Sequence, residues 1–478
     1  MSGGRAVKLL VLGGGVAGLA TALAMGRAGH EVVLLERDAA APAGDAAKVF
    51  EGWQRTGVAQ FRQPHNFLGL GRRLLRDRAP DVYSALMAAG AVEIEQFRFL
   101  ASAELEPGDG DLATIGCRRP VFEVVLRRAV EAAPTIEVWA GCRATGLALA
   151  GGRSLHVEGA VLASGESVAA DLVVDASGRS SHTAAWLAAA GLGSVAERTS
   201  SCGLIYYSRH FQLRDGVPDP PYASVLAGPR GDLGYLAYAV LVGDNRTFCL
   251  CIMAPPWDRS FRSLRHPDAF MRAAKLLPGV ADWIDQDTAL PVTPVLPMGQ
   301  VSNTIRHYQT AAGPVAPGLQ PIGDALCHTN PTFAFGASLS LQHAFTLADL
   351  LPVAADRVDL ARRFDEAVGE DLERRYQAVS DEDRDRARLW AGEPIDVTDP
   401  AASLPLFLRA VVYKVAPADP QLLRAVVRRI DLLDPTNWLE QNCDLHELAL
   451  EILRRMGQRD ALPPPGPSRL QMLEALAA

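Results

Sequence analysis

The chain has 478 residues, 49% of them hydrophobic and 21% charged, and a formal net charge of −8. That length is more than one core fills and points to two or three structural units. The acidic balance, without a basic tail, argues against a nucleic-acid partner, and no stretch is long and apolar enough to span a bilayer. The seven cysteines form no C-x-x-C pair and no His/Cys grouping suggests a metal, so they read as reduced, buried thiols of a cytoplasmic protein.

In chain order the first signal is Lys8-Leu9-Leu10-Val11-Leu12, an apolar run suited to a buried parallel strand, followed by glycines and an alanine-rich helical pattern. Gly13, Gly15 and Gly18 stand in G-x-G-x-x-G register. Gly13 allows the tight turn, Gly15 lets a pyrophosphate approach the backbone, and Gly18 lets helix and strand pack closely. The helix start at Val16 and Ala17 offers unpaired N–H groups and a positive dipole end. A second apolar run, Glu31 to Leu35, ends at Glu36, about 20 residues beyond the glycines, the offset of a carboxylate that binds ribose hydroxyls.

The stretch Trp53 to His65 is dense in Arg, Gln, His and aromatics, and Arg55, Arg62 and His65 are candidates for meeting cofactor phosphates or substrate. Leu68 to Leu86 has helical spacing. Pro120 suits the first turn of a helix over Val121 to Ala132, and Arg119 beside it can reach a phosphate by a bidentate contact. Ile136 to Trp139 reads as a short strand and Gly146 to Val168 as a β-meander. Asp171 to Asp175, then Ala176-Ser177-Gly178-Arg179, reads as a buried strand ending at an acid and a glycine turn.

From about Cys202 to Thr310 the pattern is that of a separate antiparallel sheet, with a helix over His266 to Leu277. Its aromatics suggest a wall of an apolar substrate pocket, with Tyr207 and Tyr238 as lining residues and Phe333 joining them from the next motif. That motif, Pro321 to Ser340, holds a strand ending at Gly323-Asp324, a loop with Asn330-Pro331, and a long helix starting near Gly336. From Asp356 onward the chain is largely helical. Its charged run Ser380 to Arg386 reads as a solvated face, and Pro463-Pro464-Pro465 marks the extreme C-terminus as a linker or tail.

The three motifs together resemble the FAD-dependent monooxygenases built on the p-hydroxybenzoate hydroxylase fold, and Gln60 to His65 looks like the actinobacterial natural-product flavin epoxidases and oxygenases. The resemblance implies an α/β fold with a Rossmann-like FAD-binding domain (1–75, 111–200 and 315–355), a mixed or antiparallel-sheet substrate domain (76–110 and 201–314) and a helical C-terminal region (356–478). It implies non-covalent FAD contacted at Gly13, Gly15, Val16, Ala17, Gly18, Glu36, Arg37, Arg55, Arg119, Ala144, Asp175, Gly178, Asp324, Pro331, Gly336, Ala337 and Ser338, with His65 and Arg62 as catalytic candidates. The last motif of the family usually carries another glycine where this chain has Ala334.

The activity implied is insertion of one oxygen atom from O2 into a small, largely apolar organic molecule, by hydroxylation or epoxidation through a flavin C4a-hydroperoxide, with natural-product biosynthesis as a setting. NAD(P)H, or reduced flavin from a separate reductase, would supply the electrons. The alternative on the same motifs is a dehydrogenase or double-bond reductase of the geranylgeranyl reductase type. The halogenase signature W-x-W-x-I-P is absent, which disfavours halogenation.

Overall fold

The computed structural model describes residues 6–96, 105–151, 155–218, 228–435, 437–457 and 466–478. Strand Lys8–Leu12 lies at the centre of a five-stranded parallel sheet whose order is Leu319–Pro321, Leu172–Asp175, Lys8–Leu12, Glu31–Glu36, Ile136–Ala140. Leu9 is paired with Leu172 on one side and Val32 on the other. These strands are apolar on both faces because both faces are covered, the condition under which parallel sheets are stable. One face is packed by helix Val16–Arg27, with ten buried residues, and by helix Phe335–Leu350. The other faces the antiparallel meander Ala144–Ala150, His156–Leu162, Ser167–Ala169, of which 152–154 lie outside the described residues.

The middle of the chain forms the expected second sheet. Arg230–Asp232, Ala237–Val242, Thr247–Ala254, Ile205–Leu213 and Ala289–Pro291 run in that order, with Leu296–Met298 also on Ile205–Leu213. Alternation along each strand gives this sheet two different faces. Tyr207, Phe211, Tyr238, Val240, Leu250 and Ile252 build a core with helix Pro267–Leu276. Tyr206, Ser208, Ala237, Ala239, Cys251 and Met253 occupy the opposite face, as their registers require.

Three sequence expectations change here. The helix over Leu68 to Leu86 is two helices, Gly69–Arg78 and Pro80–Ala88. Pro80 lacks the N–H that would continue the first and starts the second, and it forces Ala79 out of helical geometry. The charged run Ser380 to Arg386 is not a solvated face. It lies in helix Arg357–Trp390, and Glu382, Asp383, Asp385 and Arg386 are buried.

Nor is the C-terminus a tail. Pro463 to Pro465 lie outside the described residues, but Ser468 opens helix Arg469–Ala477 with a reciprocal capping box, and Met472 and Leu476 enter the core of the middle sheet. Arg469 pairs with Asp258 at 2.6 Å, and the Tyr235 hydroxyl donates to the Pro467 carbonyl at 2.6 Å. Among the described residues, no helix is long and apolar enough to cross a membrane.

Because Met472 is fully buried, Met472→Ala is expected to lower stability by about 2–4 kcal/mol in a denaturant titration. An unattached tail would show no change.

Candidate cofactor site

A cavity of ≈ 320 Å³ opens along the C-terminal ends of the parallel strands, where Gly13 and Ala176 follow their strands and Glu36 ends its own. Gly13 has φ +102°, and a Cβ there would stand 2.6 Å from the Ala176 carbonyl oxygen. A Cβ on Gly18 would run into the Gly13 carbonyl oxygen, so Gly18 acts by packing and does not line the cavity. Gly15 is different. Nothing stands nearer to its missing side chain than Arg119 Nη2 at 3.9 Å, which leaves bare backbone facing the cavity.

Gly15 also begins helix Val16–Arg27 without a side-chain cap or an acid in the first turn. Helix Phe335–Leu350 starts at the other end of the same cavity, likewise uncapped and without an acid in its first turn. Two positive helix ends facing one elongated space fit a ligand with a pyrophosphate at one end and an electron-rich ring edge at the other.

Beneath the glycine loop lies a buried ion cluster. The Arg55 side chain, 2% exposed, donates to the Gly14 carbonyl at 2.8 Å and to Glu123 Oε2 at 2.5 Å, approaches Asp38 Oδ2 at 3.4 Å, and pairs with Glu36. Burial alone would lower the Arg55 pKa, but Glu123 and Glu36 outweigh it and hold the guanidinium more firmly charged. Burial likewise opposes ionisation of Glu123, and Arg119 and Arg55 overcome it. Glu36 accepts from the Gly14 N–H through Oε2 and the Asp38 N–H through Oε1, both at 2.8 Å. Oε1 keeps a lone pair at the cavity wall for a hydroxyl donor.

His65 and Arg119 stand together on the wall. His65 Nδ1 donates to the Gln63 carbonyl at 2.9 Å, which leaves Nε2 as an acceptor 3.4 Å from Arg119 Nη1. Burial, with Arg119 adding to it, brings the His65 pKa down to about 3, so the ring is neutral. Arg119 Nε donates to Glu123 at 2.6 Å. The turn Gly323-Asp324 reaches the wall from the opposite side. Gly323 has φ +56°, and a Cβ there would meet Ala17 Cβ at 2.9 Å, so the third motif packs directly on the first helix.

Of the residues expected at the cofactor, Gly13, Gly15, Val16, Ala17, Glu36, Arg37, Arg55, Arg119, Ala144, Gly178, Asp324, Pro331, Gly336 and Ala337 lie around this one cavity, as does His65. Others do not, and their expected roles are corrected. Asp175 is turned inward. It accepts from Ser177 N–H at 3.0 Å and from the Ser181 and Thr183 hydroxyls at 2.5 and 2.7 Å, and so shapes the turn whose Ser177 to Ser180 line the cavity.

Ser338 is fully buried against Gly71, on the helix face away from the cavity, and Ser340 lines the wall instead. Arg62 does not line the cavity; its side chain donates to the Glu51 and Trp53 carbonyls at 3.1 and 3.3 Å. Tyr207 and Tyr238 belong to the far face of the middle sheet, where the Tyr238 hydroxyl donates to the Pro278 carbonyl at 3.1 Å. Phe333 lines a separate crevice.

The residues missing from the sequence expectations are polar and come from five segments of the chain. Asn330, on the cavity wall, accepts from the Tyr206 hydroxyl and donates through Nδ2 to Asp383 Oδ1 at 2.6 Å. Asn303 donates to Asp383 Oδ2 at 2.8 Å and accepts from the Asn330 N–H at 2.6 Å. Arg386 Nη1 completes the set 2.7 Å from Asp383. Gln63, also on the wall, accepts from the Ser208 hydroxyl at 2.7 Å. Tyr206 and Ser208 flank Tyr207 on the strand, so period-2 alternation held the signal, but only the fold reveals which face meets the cavity.

Residues 8–104 match the family model described as FAD dependent oxidoreductase (DAO). The sequence matches no curated protein. Among solved structures, the flavin-dependent brominase Bmp2 superposes with a TM-score of 0.62 at 16% identity, covering 95% of this chain and 100% of that one. 2-Methyl-3-hydroxypyridine-5-carboxylic acid oxygenase gives 0.55 at 16% identity, covering 84% and 96%. PqsL, a probable FAD-dependent monooxygenase from Pseudomonas aeruginosa, gives 0.53 at 15% identity, covering 81% and 99%. The fold is that of the p-hydroxybenzoate hydroxylase-like flavoproteins. The amino-terminal match, over residues 8–104, is to an FAD-dependent oxidoreductase model, and the fold agrees with FAD as the cofactor of this cavity.

Two outcomes are expected. Ala334, where relatives of this fold were expected to carry glycine, has φ +56°. Ala334→Gly should therefore stabilise the protein by up to about 1 kcal/mol, read as a rise in Tm. His210 and His343 have pKa values brought down to about 4, and His65 to about 3, chiefly by burial. In the unfolded chain each binds a proton near the ordinary histidine value of 6.5. The unfolded state then holds more protons, so stability falls as pH drops from about 6.5 toward 4 and is untouched by these groups above that window. Tm measured against pH should show this slope, and His343→Gln should flatten it.

Proposed function

We propose that this chain is an FAD-dependent monooxygenase that transfers one oxygen atom from O2 to a small, largely apolar organic substrate, by hydroxylation or epoxidation. The observation that carries the reading is the cavity with two uncapped helix starts, whose far end is the Asn330 to Ala337 loop held against the middle sheet by Tyr206 and Asp383. When bound and reduced, FAD supplies the activation of oxygen. The protein supplies the rest. In this reading Gly13 to Ala17 and Arg119 hold the pyrophosphate, and Glu36 and Arg37 the adenosine end. Asp324 takes the ribityl or pyrophosphate region, and Pro331, Gly336 and Ala337 face the ring.

Neutral His65, with Nε2 as its acceptor, is the residue placed to receive or orient a proton. Gln63 and Asn330, each fixed by a second hydrogen-bonded partner, keep the ring end closed to water. The discontinuous segments 1–75, 111–200 and 315–355 form the cofactor unit of this scheme, and 76–110 with 201–314 the substrate unit. Electrons come from NAD(P)H or from flavin reduced by a separate reductase.

Protein reconstituted with FAD and supplied with NADPH or chemically reduced flavin under ¹⁸O₂ is expected to place one ¹⁸O atom in the product of an accepted substrate. Turnover that continues without oxygen sinks this reading and identifies a double-bond reductase. Gly15→Val should weaken FAD retention by about tenfold or more, about 1.4 kcal/mol, seen as loss of flavin absorbance after gel filtration.

A further inference from the structure

Helix Arg357–Trp390 lies outside the segments of the cofactor unit, yet it comes within one hydrogen bond of the cavity wall. Asp383 and Arg386 stand three apart on it and so share a face, and both are buried. Their neighbours in the same run are engaged elsewhere. Glu382 pairs with Arg409 at 2.5 Å, and Asp385 accepts from the Ser403 hydroxyl at 2.7 Å. Arg386 Nη1 lies 2.7 Å from Asp383 Oδ1. Among the described residues, no other carboxylate pairs with Arg386 and no other cation pairs with Asp383. The two charges therefore balance only each other. Burial pushes the Asp383 pKa up, and Arg386 is first among the groups that oppose the rise.

This pair meets the cavity through a single side chain. Asp383 Oδ1 accepts from Asn330 Nδ2 at 2.6 Å, and Asn330 lines the cavity. Asn330 is held on its other sides as well. Its N–H donates to Asn303 Oδ1 at 2.6 Å, and its Oδ1 accepts from the Tyr206 hydroxyl and from the Thr332 N–H at 3.0 Å. The last of these bonds caps the short turn Pro331–Phe333. Ala334 follows at φ +56°, and the uncapped helix Phe335–Leu350 starts at once on the same wall. The direction of that positive helix start thus depends on Asn330, and the Asn330 amide depends on Asp383.

We propose that Asp383 and Arg386 are positioning residues for the ring end of FAD: through Asn330 they fix the loop from Pro331 to Ala337, and the balance of their two charges sets the reduction potential of the bound flavin. This role rests on the monooxygenase reading, which puts the ring at the Asn330 end. A flavin gains negative charge on reduction. A positive charge left uncompensated behind the loop favours the reduced form, and a negative one the oxidised form. Water and salt screen a buried charge much less than a surface one, so the imbalance is felt across the loop.

The test is an anaerobic, dye-coupled reductive titration of the FAD-loaded protein at pH 8.5, a pH chosen to keep carboxylates ionised. Asp383→Asn should raise the affinity for reduced over oxidised FAD about tenfold, a midpoint potential about 30 mV higher for a two-electron couple. Arg386→Gln should move it by a similar amount in the opposite direction. The double variant restores neutrality and should return close to the wild-type value, and Asp383→Glu should stay close to it. Ser403→Ala removes a buried hydrogen bond from the same helix without changing charge. It should lower Tm and leave the potential alone.

Shifts of the same sign in the two single variants, or a single variant that retains FAD with an unchanged potential, overturn the assignment. A merely structural pair would loosen the loop alike from either side. If Asp383→Asn does not retain FAD, Arg386→Gln and the double variant decide by the same criteria. Neither oxygen nor substrate enters the titration, so it can fail while the ¹⁸O experiment succeeds, and the reverse.

Discussion

The guanidinium of Arg55 is enclosed by Glu36, Glu123 and Asp38 and donates to the carbonyl of Gly14. Taking that many charges out of water is unfavourable, and removing one member of such a set typically costs about 3–5 kcal/mol because the others are left uncompensated. The cluster therefore locks together four segments that are far apart in sequence: the glycine loop, the end of the second strand, the Trp53 to His65 stretch and helix Arg119–Glu131. The position of Arg119 on the cavity wall follows from it, since Glu123 holds both arginines. His65 follows in turn, because Arg119 approaches its Nε2 and helps to keep it neutral.

At the other end of the cavity a second buried polar set does the same work with fewer charges. Asp383 receives hydrogen bonds from Asn303 and Asn330 and the charge of Arg386. Burial pushes its pKa upward, and those donors and Arg386 work against that rise. This ties the long C-terminal helix to the loop that carries Asn330 and Pro331. The C-terminal region thus takes part in shaping the Asn330 end of the cavity. Ala334 sits in the same loop in a left-handed conformation that an alanine adopts only under constraint, and the loop is held on both sides by the Asn330 network and by the start of helix Phe335–Leu350.

Much of the cofactor cradle was legible in the sequence because its logic is local. Gly13, Gly15 and Gly18 follow a strand and open a helix, and Glu36 ends the next strand; each has a role that depends on neighbours a few residues away. The Gly323-Asp324 turn was legible for the same reason. Asp175 shows the limit. Its place at the end of a strand was right, but one amide and three hydroxyl donors within eight residues turn its carboxylate inward, and a motif carries no information on which way such a side chain faces.

The sequence by itself determined the parallel sheet, the glycine turns and the acid at Glu36, since apolar period, turn geometry and chain distance suffice for them. Only the tertiary structure decided which face of the middle sheet meets the cofactor side, putting Tyr206 and Ser208 there and Tyr207 and Tyr238 in the opposite core. It also decided that the charged run near Asp383 is buried and that the last helix docks on the middle sheet. The physical reason is that a strand of period two is equally apolar to either side until a neighbour covers it, and a row of charges is solvated or paired according to partners that lie well outside the run, such as Asn303 and Asn330 for Asp383.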